Sequence, residues 1–218
     1  MAPDMPYDAF DHISTWVFDL DNTLYPSSAN LFAQIERLMT AYITDSLKVS
    51  EQEAVHLRDY YWRHHGTTLA GLMAEHGMDP DPFLHAVHEI DLTGLLHDTR
   101  LRTALEKLPG RKIVYTNGSR RHADRVVEAR GLSGVFQHHY GVEDAGYRPK
   151  PHRDAFEKVF AIDGFKQDAA AMFEDEARNL EIPHAMGMRT VLVGAIDDLP
   201  YIHHTTDDLT EFLCKLTT

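Results

Sequence analysis

A single cysteine, Cys214, occurs in the 218-residue chain. With no second thiol no internal disulfide can close, which suits a reducing compartment, and a cytoplasmic location is the expectation. Basic residues are scarce as well: 21 Lys and Arg stand against 34 Asp and Glu, a formal net charge of -13. A surface that acidic repels nucleic-acid backbones and anionic membranes, so neither is an expected partner. Long apolar runs are missing too. No stretch approaches the ~20 residues a bilayer span needs, and Met1 to Phe10 carry neither the basic start nor the apolar run of a signal peptide. Internal repeats, low-complexity segments and the patterns Cys-x-x-Cys and His-Glu-x-x-His are also absent. Hydrophobic residues make up 43% of the chain, enough for one substantial core and a small second module.

Two kinds of segment are present. The first is a set of short, almost continuously apolar runs: Thr15–Phe18, Lys112–Tyr115, Ala169–Phe173 and Thr190–Val193. Brief runs of this kind bounded by polar residues or glycine read as strands buried on both faces. Helical patterns alternate with them, such as Leu101, Leu105 and Leu108, or Ala123, Val126, Val127 and Arg130 closed by Gly131. That alternation predicts an α/β fold with a parallel sheet covered by helices. The second kind, residues 28–96, has no convincing strand. Leu31, Ile35, Leu38 and Tyr42 recur at helical spacing, and further helices are expected over Glu51–His65 and Pro80–Ile90, with a break at Gly66-Thr67-Thr68. The expected organisation is a core of residues 1–27 and 97–218 with a helical cap, 28–96, joined by hinges near Pro26-Ser27 and His97-Asp98.

In open α/β sheets ligands bind beyond the carboxyl ends of the strands. The residues there are Asp19-Leu20-Asp21-Asn22-Thr23-Leu24 after the first run, Thr116-Asn117-Gly118-Ser119 after the second, and Glu174-Asp175 after the third, with Arg148-Pro149-Lys150-Pro151 leading into a helix. Phe18 to Tyr25 resembles the first motif of the haloacid dehalogenase superfamily of phosphatases. Thr116, Lys150 and Glu174-Asp175 fall in the order of its second, third and fourth motifs. The resemblance covers nearly the whole chain. It implies a doubly wound, Rossmann-like sheet with helices on both faces and a cap inserted after the first strand. It also implies a Mg2+-dependent phosphomonoester hydrolase acting on a small phosphorylated metabolite. Asp19 is then the nucleophile that forms an aspartyl-phosphate, a covalent route that splits a difficult hydrolysis in two. Asp21 is the group that protonates the leaving oxygen and later activates water. The implied metal ligands are the Asp19 side chain, the Asp21 backbone carbonyl and the Asp175 side chain. Thr116, the Asn117 backbone N–H and Lys150 are the implied phosphate-binding and charge-balancing groups.

The continuation Asp21-Asn22-Thr23-Leu24-Tyr25, the Thr116–Ser119 motif and Asn179 resemble the pyrimidine 5'-nucleotidase branch, whereas Glu174-Asp175-Glu176 departs from the Asp-Asp-Ser common there. Nucleoside monophosphates are therefore the first expectation and sugar phosphates or phosphoglycolate the alternative. Dehalogenases of the superfamily lack the second aspartate and need no magnesium, so Asp21 and the acidic fourth motif argue against them. A phosphate-sensing module without turnover is the rival from another class. The adjacent histidine pairs 64–65, 138–139 and 203–204 are not expected to hold a metal, since neighbouring side chains diverge. Tyr60-Tyr61-Trp62 is read as cap core, and Tyr25 as a residue that touches substrate.

Overall fold

The structure is a computed structural model and describes residues 7–217. Six parallel strands form one sheet in the order β3-β2-β1-β4-β5-β6: β1 Thr15–Phe18, β2 Arg111–Tyr115, β3 His138–Tyr140, β4 Ala170–Glu174, β5 Arg189–Val193 and β6 His204–Thr206. All four residues of β1 and all five of β4 are buried. This is the signature of central parallel strands covered on both faces.

The period-two alternation of side chains splits the core into two layers. Trp16 and Phe18 of β1 pack with Val114, Phe173 and Val191 against helices α5 (Thr99–Lys107), α6 (Arg120–Ala129) and α9 (Leu209–Leu216). Val17, between them, faces the opposite layer with Ile113, Met172 and Leu192, under α7 (Arg153–Asp163). The sheet is thus doubly wound, as expected. The chain leaves β1 to one side and returns as β4 on the other, so the topological switch lies between the ends of these two strands.

Between β1 and β2 the chain is helical: α1 Leu31–Leu47, α2 Glu51–His65, α3 Thr68–His76 and α4 Pro80–Val87. Local signals set these boundaries. The Ser50 side chain caps Glu53 N–H, Thr67 caps Ala70 N–H, and Asp79 caps Asp81 N–H ahead of Pro80. Gly66, at φ 89°, ends α2. At the break predicted around Gly66–Thr68, the chain turns directly into α3, which the periodicity did not separate. Arg130, at the end of α6, donates to Leu24 O, Leu96 O and Asp98 Oδ2, tying the segment's exit and return points to one side chain.

The edge strands β3 and β6 were not expected. Each has three residues, is paired on one side only, and includes histidines from the pairs 138–139 and 203–204. An edge strand needs no continuous apolar run, so the sequence carries no strand signal there. The reading of Tyr60-Tyr61-Trp62 as core also needs correction. Tyr61 is fully buried, while Tyr60 and Trp62 remain 43% and 41% exposed. Successive residues on a helix point about 100° apart, so only one of three can face a given core.

Candidate active site

Asp19 follows β1 directly, and its N–H donates to Phe173 O at 2.9 Å, continuing the ladder past the last β1 residue. Glu174 ends β4 alongside. Lys150 arrives from the loop before α7 with its side chain only 1% exposed. Its Nζ donates to Asp19 Oδ1 at 2.7 Å, to Glu174 Oε2 at 2.6 Å and to Tyr115 O at 3.0 Å, using all three N–H groups. The loop that carries Lys150 is held by an amide bracket. Asn117 Oδ1 accepts from Lys150 N–H at 2.8 Å, and Asn117 Nδ2 donates to Lys150 O at 3.1 Å. The Asn117 side chain therefore places the lysine, a role its sequence motif does not reveal. Thr116, 1% exposed, accepts from Gly118 N–H at 2.9 Å, which turns the chain sharply after β2.

Asp19, Glu174 and Asp175 each offer an oxygen, and these atoms all lie within 4.8 Å of one another. Burial, with Glu174 adding to it, pushes Asp19 up to about 7 despite Lys150. Burial and the charges of Asp19 and Glu174 push Asp175 up to about 9, although Asn22 Nδ2 donates to it at 3.3 Å. Three carboxylates with no nitrogen or sulfur donor, and with more negative charge than Lys150 neutralises, form a donor set that fits a hard divalent cation.

Asp21 has a different setting. Tyr25 donates to its Oδ1 at 2.6 Å, and His122 Nε2 lies 2.9 Å from the same oxygen. Burial pushes the Asp21 carboxyl up, but the His122 imidazole and the bonds from His122 and Tyr25 outweigh it and hold the group at about 2. Asp21 is thus ionised in the resting site. His122 is fixed by the first turn of α6, where Ser119 Oγ accepts its N–H, and its ring stacks on His88 at 4.3 Å. Burial and His122 hold His88 down at about 3, so the stacked His88 ring is neutral. Neither histidine stood out in the sequence, because a lone histidine on an amphipathic helix carries no pattern. Tyr25, read as a substrate contact, is 1% exposed and turns to Asp21 instead.

All six predicted residues, Asp19, Asp21, Thr116, Asn117, Lys150 and Asp175, line one cavity of about 540 Å³. Its far wall comes from the helical segment and is mostly apolar, with Phe32, Met39, Trp62 and Phe83, while Glu36 and Arg58 supply charge. Trp62 holds the Arg178 guanidinium over its ring at 4.1 Å, and Arg178 also donates to Gly66 O at 3.1 Å, joining α2 to the loop after β4. Among the described residues, the buried Asn179 Oδ1 at this cavity has no hydrogen-bond partner.

A doubly wound parallel sheet gathers carboxylates, a lysine and a threonine at its switch point around one cavity, a setting built to hold an anionic ligand together with a cation. The chain belongs to the haloacid dehalogenase-like hydrolase family, whose profile matches residues 16–193. It is 27% identical over 203 residues to phosphate metabolism protein 8 of Saccharomyces cerevisiae, a match covering 84% of this chain and 62% of that protein. The chain thus spans less than two thirds of that relative. Among solved structures, the magnesium-bound HAD-hydrolase YfnB of Bacillus subtilis superposes with a TM-score of 0.62 at 16% identity, covering 94% of this chain and 99% of that one. The 2-haloacid dehalogenase of Pseudomonas syringae superposes at 0.59 with 19% identity, covering 94% and 97%. At such identities the superpositions establish a shared fold. Among the described residues no helix is long and apolar enough to cross a membrane.

Proposed function

We propose that this hydrolase is a magnesium-dependent phosphatase that works through an aspartyl-phosphate on Asp19. The observation that carries the reading is the charge arrangement: Lys150 holds one oxygen of Asp19 at 2.7 Å inside a cluster of three carboxylates suited to a cation. The other Asp19 oxygen is then the attacking atom. As the Asp19–phosphorus bond forms and the ester bond breaks, the Thr116 hydroxyl and the Asn117 backbone N–H hold the phosphoryl oxygens. Asp21 gives the leaving oxygen a proton. Since it starts ionised, it first takes a proton from the bound phosphate monoanion and passes it to the leaving oxygen, and once ionised again it activates the water that cleaves the acyl-phosphate. Asp19, Asp175 and the Asp21 backbone carbonyl would hold Mg2+, with Glu174 beside them. Bound there, the ion neutralises carboxylate and phosphoryl charge.

Residues 28–96 act in this reading as a cap on hinges near Pro26-Ser27 and His97-Asp98, joined through Arg130. The cap closes over a small phosphorylated metabolite and excludes water. Nucleoside 5'-monophosphates are the favoured substrates, since an apolar and aromatic wall opposite the phosphate end suits a flat base. The name of the yeast relative also points to phosphate metabolism. The second carboxylate, Asp21, and the acidic cluster favour phosphoryl transfer over attack on carbon.

The test is phosphate release from a panel of nucleoside monophosphates and sugar phosphates, with magnesium and with chelator, by wild type and Asp19→Asn. Turnover that needs the metal and vanishes in the variant is expected, with UMP and CMP leading. Equal turnover by Asp19→Asn, or hydrolysis unaffected by chelator, would sink the mechanism.

A further inference from the structure

The Asp21 carboxyl is gripped on one side only. Among the described residues both of its hydrogen bonds, from Tyr25 at 2.6 Å and from His122 at 2.9 Å, land on Oδ1, and Oδ2 accepts none. With the carboxylate oxygen as acceptor, Nε2 of His122 is the donor in this contact. The two donors come from distant places. Tyr25 lies where the chain enters the helical segment, and His122 lies on the first turn of α6, 101 positions from Asp21. Both are locked. The Tyr25 side chain is 1% exposed, and the His122 side chain is fully buried. The His122 ring lies nearly parallel to that of His88, at an interplanar angle of 11°. His88 is itself bonded through Nδ1 to Ser119 Oγ at 3.1 Å, the hydroxyl that caps the His122 N–H. A carboxylate left alone turns broadly about its last torsion.

We propose that Tyr25 and His122 are positioning residues that hold the Asp21 carboxyl by Oδ1 and so present Oδ2 to the leaving oxygen and then to water. The inference rests on the reading of Asp21 as the proton-transfer group. His88, at the end of α4, is the buttress that keeps the His122 ring in plane. Tyr25 and His88 both belong to the connections of the helical segment, so a movement of that segment reaches the Asp21 carboxyl through these contacts.

The experiment compares two esters. An alkyl phosphate needs a proton on its leaving oxygen, whereas p-nitrophenyl phosphate releases a stable phenolate. Tyr25→Phe removes only a hydroxyl, and His122→Phe keeps a ring to stack on His88 while removing the nitrogen. For the double variant, kcat/KM on the alkyl ester is expected to fall about 100-fold, within the range of general acid catalysis. On p-nitrophenyl phosphate kcat/KM falls less than about 3-fold, while kcat falls on both, because water activation also needs the aligned carboxylate. His122→Gln, which restores a donor N–H, recovers part of the loss. Equal losses of kcat/KM on both esters would show that the two residues serve only the fold. Crystal structures supply a reading that does not depend on turnover. The Asp21 side chain is expected in one conformer in wild type and in several in the double variant, and a single unchanged conformer in the variant overturns the inference. If wild type cleaves neither ester, the phosphatase reading fails while the conformers still decide the positioning.

Discussion

Replacing Lys150 with methionine tests the charge arrangement directly. Methionine keeps the length and apolar stem of lysine, so packing is largely conserved and the change is chiefly electrostatic. The substitution deletes bonds to Asp19, Glu174 and Tyr115 O, all in a place where the lysine is 1% exposed. It also leaves Asp19, Glu174 and Asp175 with oxygens within 4.8 Å of one another and no cation among them. Two like charges at such a spacing repel by about 3 kcal/mol at an effective dielectric of about 20. Breaking a buried ion pair costs about 3–5 kcal/mol, which for a chain of this size lowers Tm by about 6–20 °C. Losing the lysine raises the carboxyl pKa values further, so the folded state binds protons that the unfolded chain releases. The deficit should therefore be smaller near pH 5 than near pH 8. Thermal unfolding in chelator, followed by circular dichroism at both pH values, reads the effect. Adding Glu174→Gln removes one of the stranded charges and should recover roughly half of the loss. The reasoning is refuted if Lys150→Met melts within about 2 °C of wild type, or if Glu174→Gln lowers the melting point of that variant further.

The same carboxylates predict a pH-dependent response to cations. Asp19 and Asp175 have folded pKa values raised from 3.8 to about 7 and about 9. Their favourable contribution is present below the unfolded value and lost as pH rises through the folded values, so the metal-free protein weakens as pH climbs. A divalent cation held by these carboxylates would remove that penalty, so added magnesium should raise Tm more near pH 8 than near pH 5; a larger rise at the lower pH would contradict this. Trp62→Ala should lower kcat/KM for nucleoside monophosphates about 10-fold while leaving a small alkyl phosphate nearly unchanged, consistent with loss of one aromatic wall. Equal effects on both substrates would place Trp62 outside substrate recognition. Gly71→Ala drives a new Cβ into the Tyr61 ring where α3 crosses α2. Overpacking of this kind costs about 1–3 kcal/mol, visible as a lower urea midpoint, and an unchanged midpoint would show that Tyr61 can move aside.

The central strands were legible because burial on both faces writes itself into a sequence as an unbroken apolar run, as in Thr15–Phe18 and Ala170–Glu174. Asp19, Asp21, Thr116, Asn117 and Asp175 then followed, since each lies just past such a run, whereas Lys150 lies in the loop ahead of α7 and was placed by its motif. Helices α1 and α2 were legible from their periodicity and from the Gly66 break. Short edge strands rich in histidine, and α3 with its small residues, left no pattern to find.

By itself the sequence determined the residue types at the strand ends and, with them, a centre of carboxylates around a lysine. Only the tertiary structure decided how that centre is wired. It turned Tyr25 inward to Asp21, brought His122 and His88 behind the same carboxylate, and set the Asn117 amide to hold the Lys150 loop. It also left Trp62 facing the cavity while its neighbour Tyr61 filled the core. The reason is physical: a sequence pattern records which positions are buried together along one element, because that burial repeats with a period. A hydrogen bond between side chains 101 positions apart repeats with nothing, and is settled only when the packed elements fix both partners in place.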